Sequence, residues 1–536
     1  MIRPLVATLT ALLACGCAQV REITGGPKDD LGPGLIGAAP SQGSARFTGD
    51  RFVLRFDERV QVRRPAAGLL VSPPIDPPPT IRLAGPREVE VRWTSPLREN
   101  TTYSFAVGEA IQDLTEGNPS TGLTYTFSTG DALDSLMIVG TVRHAYTLAP
   151  QEGVLVMAYE FGDTASFTSG RPAFATRTDK QGSFSLRHLP GQAFQVCALK
   201  DLNGNYRFDL PSEEIAFAPS ASTPFNPGDS LARPLLLQLF QETSSAQRVL
   251  AANVTDDRAW RIALARPAER IDVRDIAREG GRLSWEQEWN TWRDTVLLWP
   301  SDTMALGEGR FELETEEGAL DTLRYRALRP MPYALAVRAE KNPSADGSIV
   351  RIRAARPIAS FDPELVRFAT DSLWVAGTIE RDSIEARTLL IRAQGQLPAN
   401  AQLVLLPRAL RDMYGGTHDT LRFAVGPVPA ASLGLLRVSL TADDAVQRYA
   451  LLELLDARGI SIRKQSGMIP GQRVAWERLE PGNHSLRLIV DTNGNGRWDP
   501  GSWRERRQPE RVHLHGETIQ VRAGWDLGVD WLLKGE

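Results

Sequence analysis

The chain has 536 residues, 42% hydrophobic and 24% charged, with 61 basic against 65 acidic side chains and a formal net charge of −4. That length exceeds what one hydrophobic core supports, and the slightly acidic balance argues against a nucleic-acid partner. Three cysteines, two of them at positions 15 and 17, leave no disulfide framework.

The chain opens on Met1, Ile2 and Arg3, followed by a short apolar core over 5–14 that ends in small residues, the pattern of an export signal. A cysteine directly behind such a core resembles the lipobox of bacterial lipoproteins, in which the cysteine becomes the acylated first residue. Cys17, preceded by Ala14, Cys15 and Gly16, is the expected lipidation site, with Cys15 the alternative. An ordinary secretory signal with incidental cysteines is the plainer reading. Residues 1–16 are then a lipoprotein signal peptide and 17–34, rich in Gly, Pro and charge, a flexible tether. No later apolar run reaches the ~18 residues of a membrane helix.

From 35 to 131, short alternating runs (RFVLRF, TIRLAG, EVEVRW, TYSFAV, LTYTFS) are separated by turn residues, which predicts a β-sandwich. FDERV at 56–60, LRENTTYSF at 97–105, Asp113 and Leu114 followed by EGNP, and TYTFSTGD resemble the SbsA-type bacterial Ig-like domain. That resemblance implies a spacer or adhesive module without a preformed pocket. Over 135–240 a G-x-V strand, GVLVMAYE, TRTDKQGSF and a Pro190-Gly191 turn resemble the carboxypeptidase-regulatory or transthyretin-like sandwich, here without its zinc enzyme. The 241–345 region alternates with period two and predicts an unassigned β-sandwich. Its Trp-rich stretch over 284–292 reads as a helical turn or an aromatic patch, more often core than ligand platform. RIRAARPIASFDPELVRF at 351–368 and LPANAQLVLLPRALRDMYGG at 397–416 then repeat the first pattern, giving a second, diverged Ig-like domain over 346–428. A second transthyretin-like sandwich follows over 433–536. The fold class is therefore all-β, an elongated tandem array of Ig-like and transthyretin-like β-sandwich domains behind a lipoprotein signal peptide. In whole order, including TGGPKD at 24–29, the chain resembles a family of Ig-like-domain lipoproteins of Gram-negative bacteria, a family that brings no defined activity.

The most informative repeat is DLNGNYRFD at 201–209, which returns as DTNGNGRWD at 491–499. Each copy follows an alternating run that begins at a Pro-Gly turn, so each is a turn leaving a strand. Asx side chains can bond the backbone of their own turn, and Asn-Gly tolerates positive φ. Oxygen-bearing side chains also fall at positions 1, 3, 5 and 9: Asp201, Asn203, Asn205 and Asp209, then Asp491, Asn493, Asn495 and Asp499. A structural Ca²⁺ wants such a ring, with the carbonyl of Arg207 or Arg497 filling the gap. The full loop pattern would have Gly at position 6 and Glu at 12, where this chain has Tyr206 or Gly496 and Ser212 or Ser502. The residues therefore fit both a metal-free Asx turn and a structural Ca²⁺ loop.

Catalytic signatures are missing from the sequence: no H-E-x-x-H, no G-x-S-x-G, no phosphate-binding glycine loop. His513 and His515 lack a third ligand, Cys197 lies in an alternating strand as a small apolar residue, and the basic cluster 504–511 reads as a solvated loop. The expected function is a non-enzymatic, lipid-anchored cell-envelope protein of the outer membrane, periplasmic or surface-facing, with modules that act as spacer and platform for a protein or glycan. The alternative is an accessory subunit of an envelope or carbohydrate-processing complex whose catalytic chain is separate.

Overall fold

The computed structural model describes residues 29–533 except 65–67, 163–165, 231, 245, 277–283, 291, 302–307, 328, 340–348, 371–373, 383–384, 396, 427–428, 443–448 and 470. The signal peptide, Cys15, Cys17 and most of the tether lie outside the described residues. The chain divides into two compact units. One comprises Met1–Val142, Gln151–Phe208 and Ser220–Leu237; the other Arg143–Pro150, Asp209–Pro219 and Gln238–Glu536.

In the first unit, period-two alternation in Arg51–Phe56 turns Phe52, Leu54 and Phe56 inward. That strand lies between Leu35–Ala39 and Glu88–Arg92 in a four-stranded antiparallel sheet closed by Thr80–Gly85. A second sheet of Leu70–Ser72, Thr102–Ala106 and Thr124–Ser128 completes a sandwich. Its core is aromatic: Phe52 stacks on Tyr125 and Phe47 on Phe127, each pair with centroids 4.0 Å apart. Burial pushes the Tyr125 phenol up to about 12. The next module pairs Leu136 to Thr141 with Ser183–Leu189, and Leu155–Glu160 with both Phe174–Arg177 and Phe194–Leu199. Cys197 sits in the last of these strands and is fully buried among its apolar neighbours.

Among the described residues, three large cores lie in the second unit. Around Trp260, Ile262, Val296, Leu298, Phe311 and Tyr325, a four-stranded sheet of Val249–Val254, Trp260–Leu264, Thr295–Pro300 and Trp285–Trp289 accompanies a three-stranded sheet of Ile271–Asp275, Glu308–Thr315 and Gly318–Arg326. The Trp-rich stretch is thus not a helical turn, and its Trp285 and Trp289 rings pack against the core. It is an edge strand whose Trp285 meets Phe311 edge-on. The next core runs from Leu335 to Val425; the strand Val337–Ala339, on the N-terminal side of residue 346, pairs with Ile349–Ala354. In the last module Gly434–Ala442 lies between Arg473–Leu479 and, in parallel, Asp526–Leu533. A facing sheet runs Ser461–Met468, Ala450–Leu455, Gly482–Val490, Val512–Leu514, with Ile519–Val521 also on Gly482–Val490. Among the described residues the architecture is nearly all-β, in tandem sandwich modules, with only the short helical turns Ser166–Ser169, Pro363–Leu365 and Ala430–Ser432 beside the strands.

The internal repetition extends to hydrogen bonds. In the first sandwich Val60–Val62 pairs with Ile111–Asp113, and Asp113 accepts backbone N–H bonds from Thr115, Glu116, Gly117 and Asn118. In the later copy Ile358–Phe361 pairs with Leu410–Asp412, and Asp412 Oδ1 accepts from the amides of Tyr414 and Gly416. One aspartate shapes the same turn in both.

Candidate functional site

The two Asn-Gly loops leave the strands Phe194–Leu199 and Gly482–Val490. In the first, Asp201 Oδ1 accepts from the amide of Gly204 at 2.7 Å and Oδ2 from that of Tyr206 at 3.0 Å. Asn203 and Asn205 each accept from the amide two residues on, at 3.1 and 2.8 Å. Position 6 needs a left-handed backbone, and Tyr206 supplies it at φ 64°, where the other copy has Gly496 at 73°. Asp209 belongs to the second unit, and its amide donates to Glu213 Oε2 at 3.2 Å.

The second loop lies in one unit and can be followed completely. Asp491, 1% exposed, accepts from the amides of Asn495 and Gly496 at 3.0 and 2.7 Å. Asn493 and Asn495 accept from the amides of Asn495 and Arg497. Their side-chain N–H groups both donate to Asp499 Oδ2, at 2.6 and 2.7 Å. All four residues singled out in the sequence therefore meet here, bound to each other and to their own backbone. A Ca²⁺ would be held by Asp491, Asn493, Asn495 and Asp499 only if both amides turned their oxygens toward Asp499's side of the loop, exchanging four hydrogen bonds for two metal ligands. Ser502, at position 12, directs its hydroxyl to Glu242 Oε1 at 2.6 Å and takes no part. Among the described residues no group of three or more His, Cys, Asp or Glu side chains is arranged to hold a metal ion.

One buried carboxylate beside each loop did not stand out in the sequence. Glu213 is fully buried and accepts from the amides of Asp209 and Leu210. Glu510, 5% exposed, accepts from the amide and hydroxyl of Thr492 and from the amide of Asp499. Burial raises the Glu510 carboxyl above its ordinary value. The signal was faint: each is an acid beside an apolar strand, four positions after Asp209 in one copy and eleven after Asp499 in the other.

The remaining candidates separate. His515 Nδ1 lies 3.0 Å from the carbonyl oxygen of Glu517, and its ring packs edge-on to Trp531 at 5.4 Å, while His513 pairs with Leu488 across the sheet. In the basic cluster, Arg506 lies 3.4 Å over the Trp503 ring and Arg507 pairs with Glu505 at 3.2 Å. The charged groups that the sequence did not single out are more concentrated. Glu288 joins Arg353 and Arg387, the latter at 2.7 Å through Nε. Arg356, with no exposed surface, bonds Asp412 Oδ2 at 2.5 Å, Asp257 at 3.3 Å and the carbonyl of Pro332 at 2.8 Å. These ion pairs join the core around Trp260 to the one around Phe368.

Residues 29–129 match the family described as bacterial Ig-like domain. The first module is similar to that domain. No curated protein matches the chain. Among solved structures, the Bacillus anthracis TIE protein aligns at 8% identity over 95% of this chain and 76% of its own, with a TM-score of 0.16. BcpA, the major pilin subunit of Bacillus cereus, aligns at 9% identity over 74% and 98%, with a TM-score of 0.14. The S-layer protein SbsC aligns at 9% identity over 88% of this chain, which spans 65% of that protein, with a TM-score of 0.15. At such TM-scores these likenesses carry no argument about this chain.

Proposed function

We propose that this is a non-catalytic, lipid-anchored cell-envelope protein of the outer membrane, with Ig-like and transthyretin-like sandwiches that hold a protein or glycan partner away from the membrane. The observation that carries the reading is where the buried polar groups go. Asp113, Asp412, Asp491, Glu510 and Arg356 are each committed to a turn or to a junction between sheets. Rigid sandwiches joined by satisfied polar contacts suit a spacer; a catalyst needs reactive groups held ready in a cleft. The bacterial Ig-like domain at 29–129 and the lipobox-like Cys17 support the envelope setting.

The test expresses the full chain and a Cys17→Ser variant in a Gram-negative host, with fractionation and intact-mass measurement. The expected result is a wild-type N-terminus bearing acyl chains at Cys17, retained in the outer membrane fraction, and a variant released from it. One acyl chain anchors only marginally, so a multiply acylated mass is expected. An unmodified N-terminus downstream of Cys17 would overturn the anchor.

A further inference from the structure

Segments 143–150, 209–219 and 238–242 belong to the same unit as the last module, although hundreds of positions separate them in sequence. Trp503 meets Phe217 edge-on at 5.2 Å. Gln508 Nε2 donates to the carbonyl of Phe217 at 3.0 Å across 291 positions, and Ser502 to Glu242 across 260. Gly501 lies so close to the Phe240 ring that a Cβ there would stand 2.4 Å from it, an approach open only to glycine. A second patch forms where Tyr146 and Leu148 pack on Leu451, Ile489, Val512 and Trp498. There the Tyr146 ring is 5.3 Å from Trp498, and the Arg487 guanidinium is 4.1 Å above it. Alternation along Ala450–Leu455 and Gly482–Val490 sends Leu452, Leu454, Leu486 and Leu488 into the module's own core. Leu451 and Ile489, on the opposite face, are covered by the Tyr146 hairpin instead.

We propose that these two patches form a mechanical clasp. A bridge between two points of a chain leaves the chain between them slack until the bridge breaks. Tension arriving through 238–242 therefore crosses to the last module, and residues 243–432 stay out of the force path while the clasp is closed.

The test inserts a specific protease site between Ser432 and Leu433 of the full chain, cleaves under native conditions, and holds the cleaved molecule by its two ends in an optical trap. The wild type is expected to elute as one species after cleavage and to sustain tension. The Tyr146→Ala, Phe217→Ala double variant, which leaves the last module's own sequence untouched, is expected to part about tenfold faster or more, a change that corresponds to about 1.4 kcal/mol. Should that variant fail to fold, Gly501→Leu wedges the same junction from the other side and is read in the same way. A cleaved wild type that parts as soon as tension is applied, or a variant that holds as long as the wild type, overturns the proposal.

Discussion

Arg356 and Glu58 occupy matching places, each two residues before the strand residue (Ile358 or Val60) that pairs with the turn aspartate. The repeat reverses the charge there. Arg356 neutralises Asp412 inside a site closed to water, where removing one partner of a buried pair costs about 3–5 kcal/mol. Arg356→Ala is therefore expected to lower the stability of the Leu335 to Val425 core by that amount, read in calorimetry of the full chain. Among the described residues no ion pair neutralises Glu58: burial, then Asp113, Asp57, Asp29 and Glu116, raise its carboxyl above the ordinary 4.5. The folded state thus holds this proton more tightly than the unfolded chain does, so ionisation costs stability as pH climbs past about 4.5, and the full cost is present at neutral pH. Glu58→Gln should raise the first sandwich's stability at neutral pH, by less than about 1 kcal/mol at a half-buried site that solvent partly screens, and leave it unchanged below about pH 4. A gain that persists in acid would mean that the carboxylate's charge is not the cause. Neither residue stood out in the sequence, because a charge beside an apolar strand residue looks the same whether it faces solvent or a buried partner.

At the scale of elements, the turn after the strand was legible in both Asn-Gly loops, and for a physical reason. The residues that tolerate positive φ and those that bond their own backbone are few, and Asn-Gly places them together. Where the long-range partners would come from was not legible: Glu213 and Glu510 reach equivalent amides from different distances along the chain. The Trp285–Trp289 strand was ambiguous for a related reason, since aromatics at its two ends fit a helical turn and a pleated edge alike, and only the cross-strand partner Thr295–Pro300 decides. The loops give the clearest experiment on ions. With their donors already satisfied, melting curves in millimolar Ca²⁺ and in EDTA are expected to coincide, and Asp491→Ala to lower stability equally in both. A Ca²⁺-dependent rise that Asp491→Ala abolishes would establish the site, because a ligand of the folded state adds RT ln(1 + [Ca²⁺]/Kd).

For the molecule as a whole, the all-β class and the recurrence of one sandwich pattern were readable because alternation with period two survives divergence: RFVLRF and IVRIRA keep the same inward face. Contacts between modules were not readable, since they fall on residues that look like ordinary surface in isolation. Among these, the bonds from Ser502 to Glu242 and from Gln508 to Phe217 bear on how the protein comes into being. A growing polypeptide presents 143–150 and 209–242 long before 498–508 exists, so Tyr146 and Phe217 must wait uncovered while the intervening modules are made. Pairings this distant in sequence form late and slowly. A product that stops short of residue 433 never covers them.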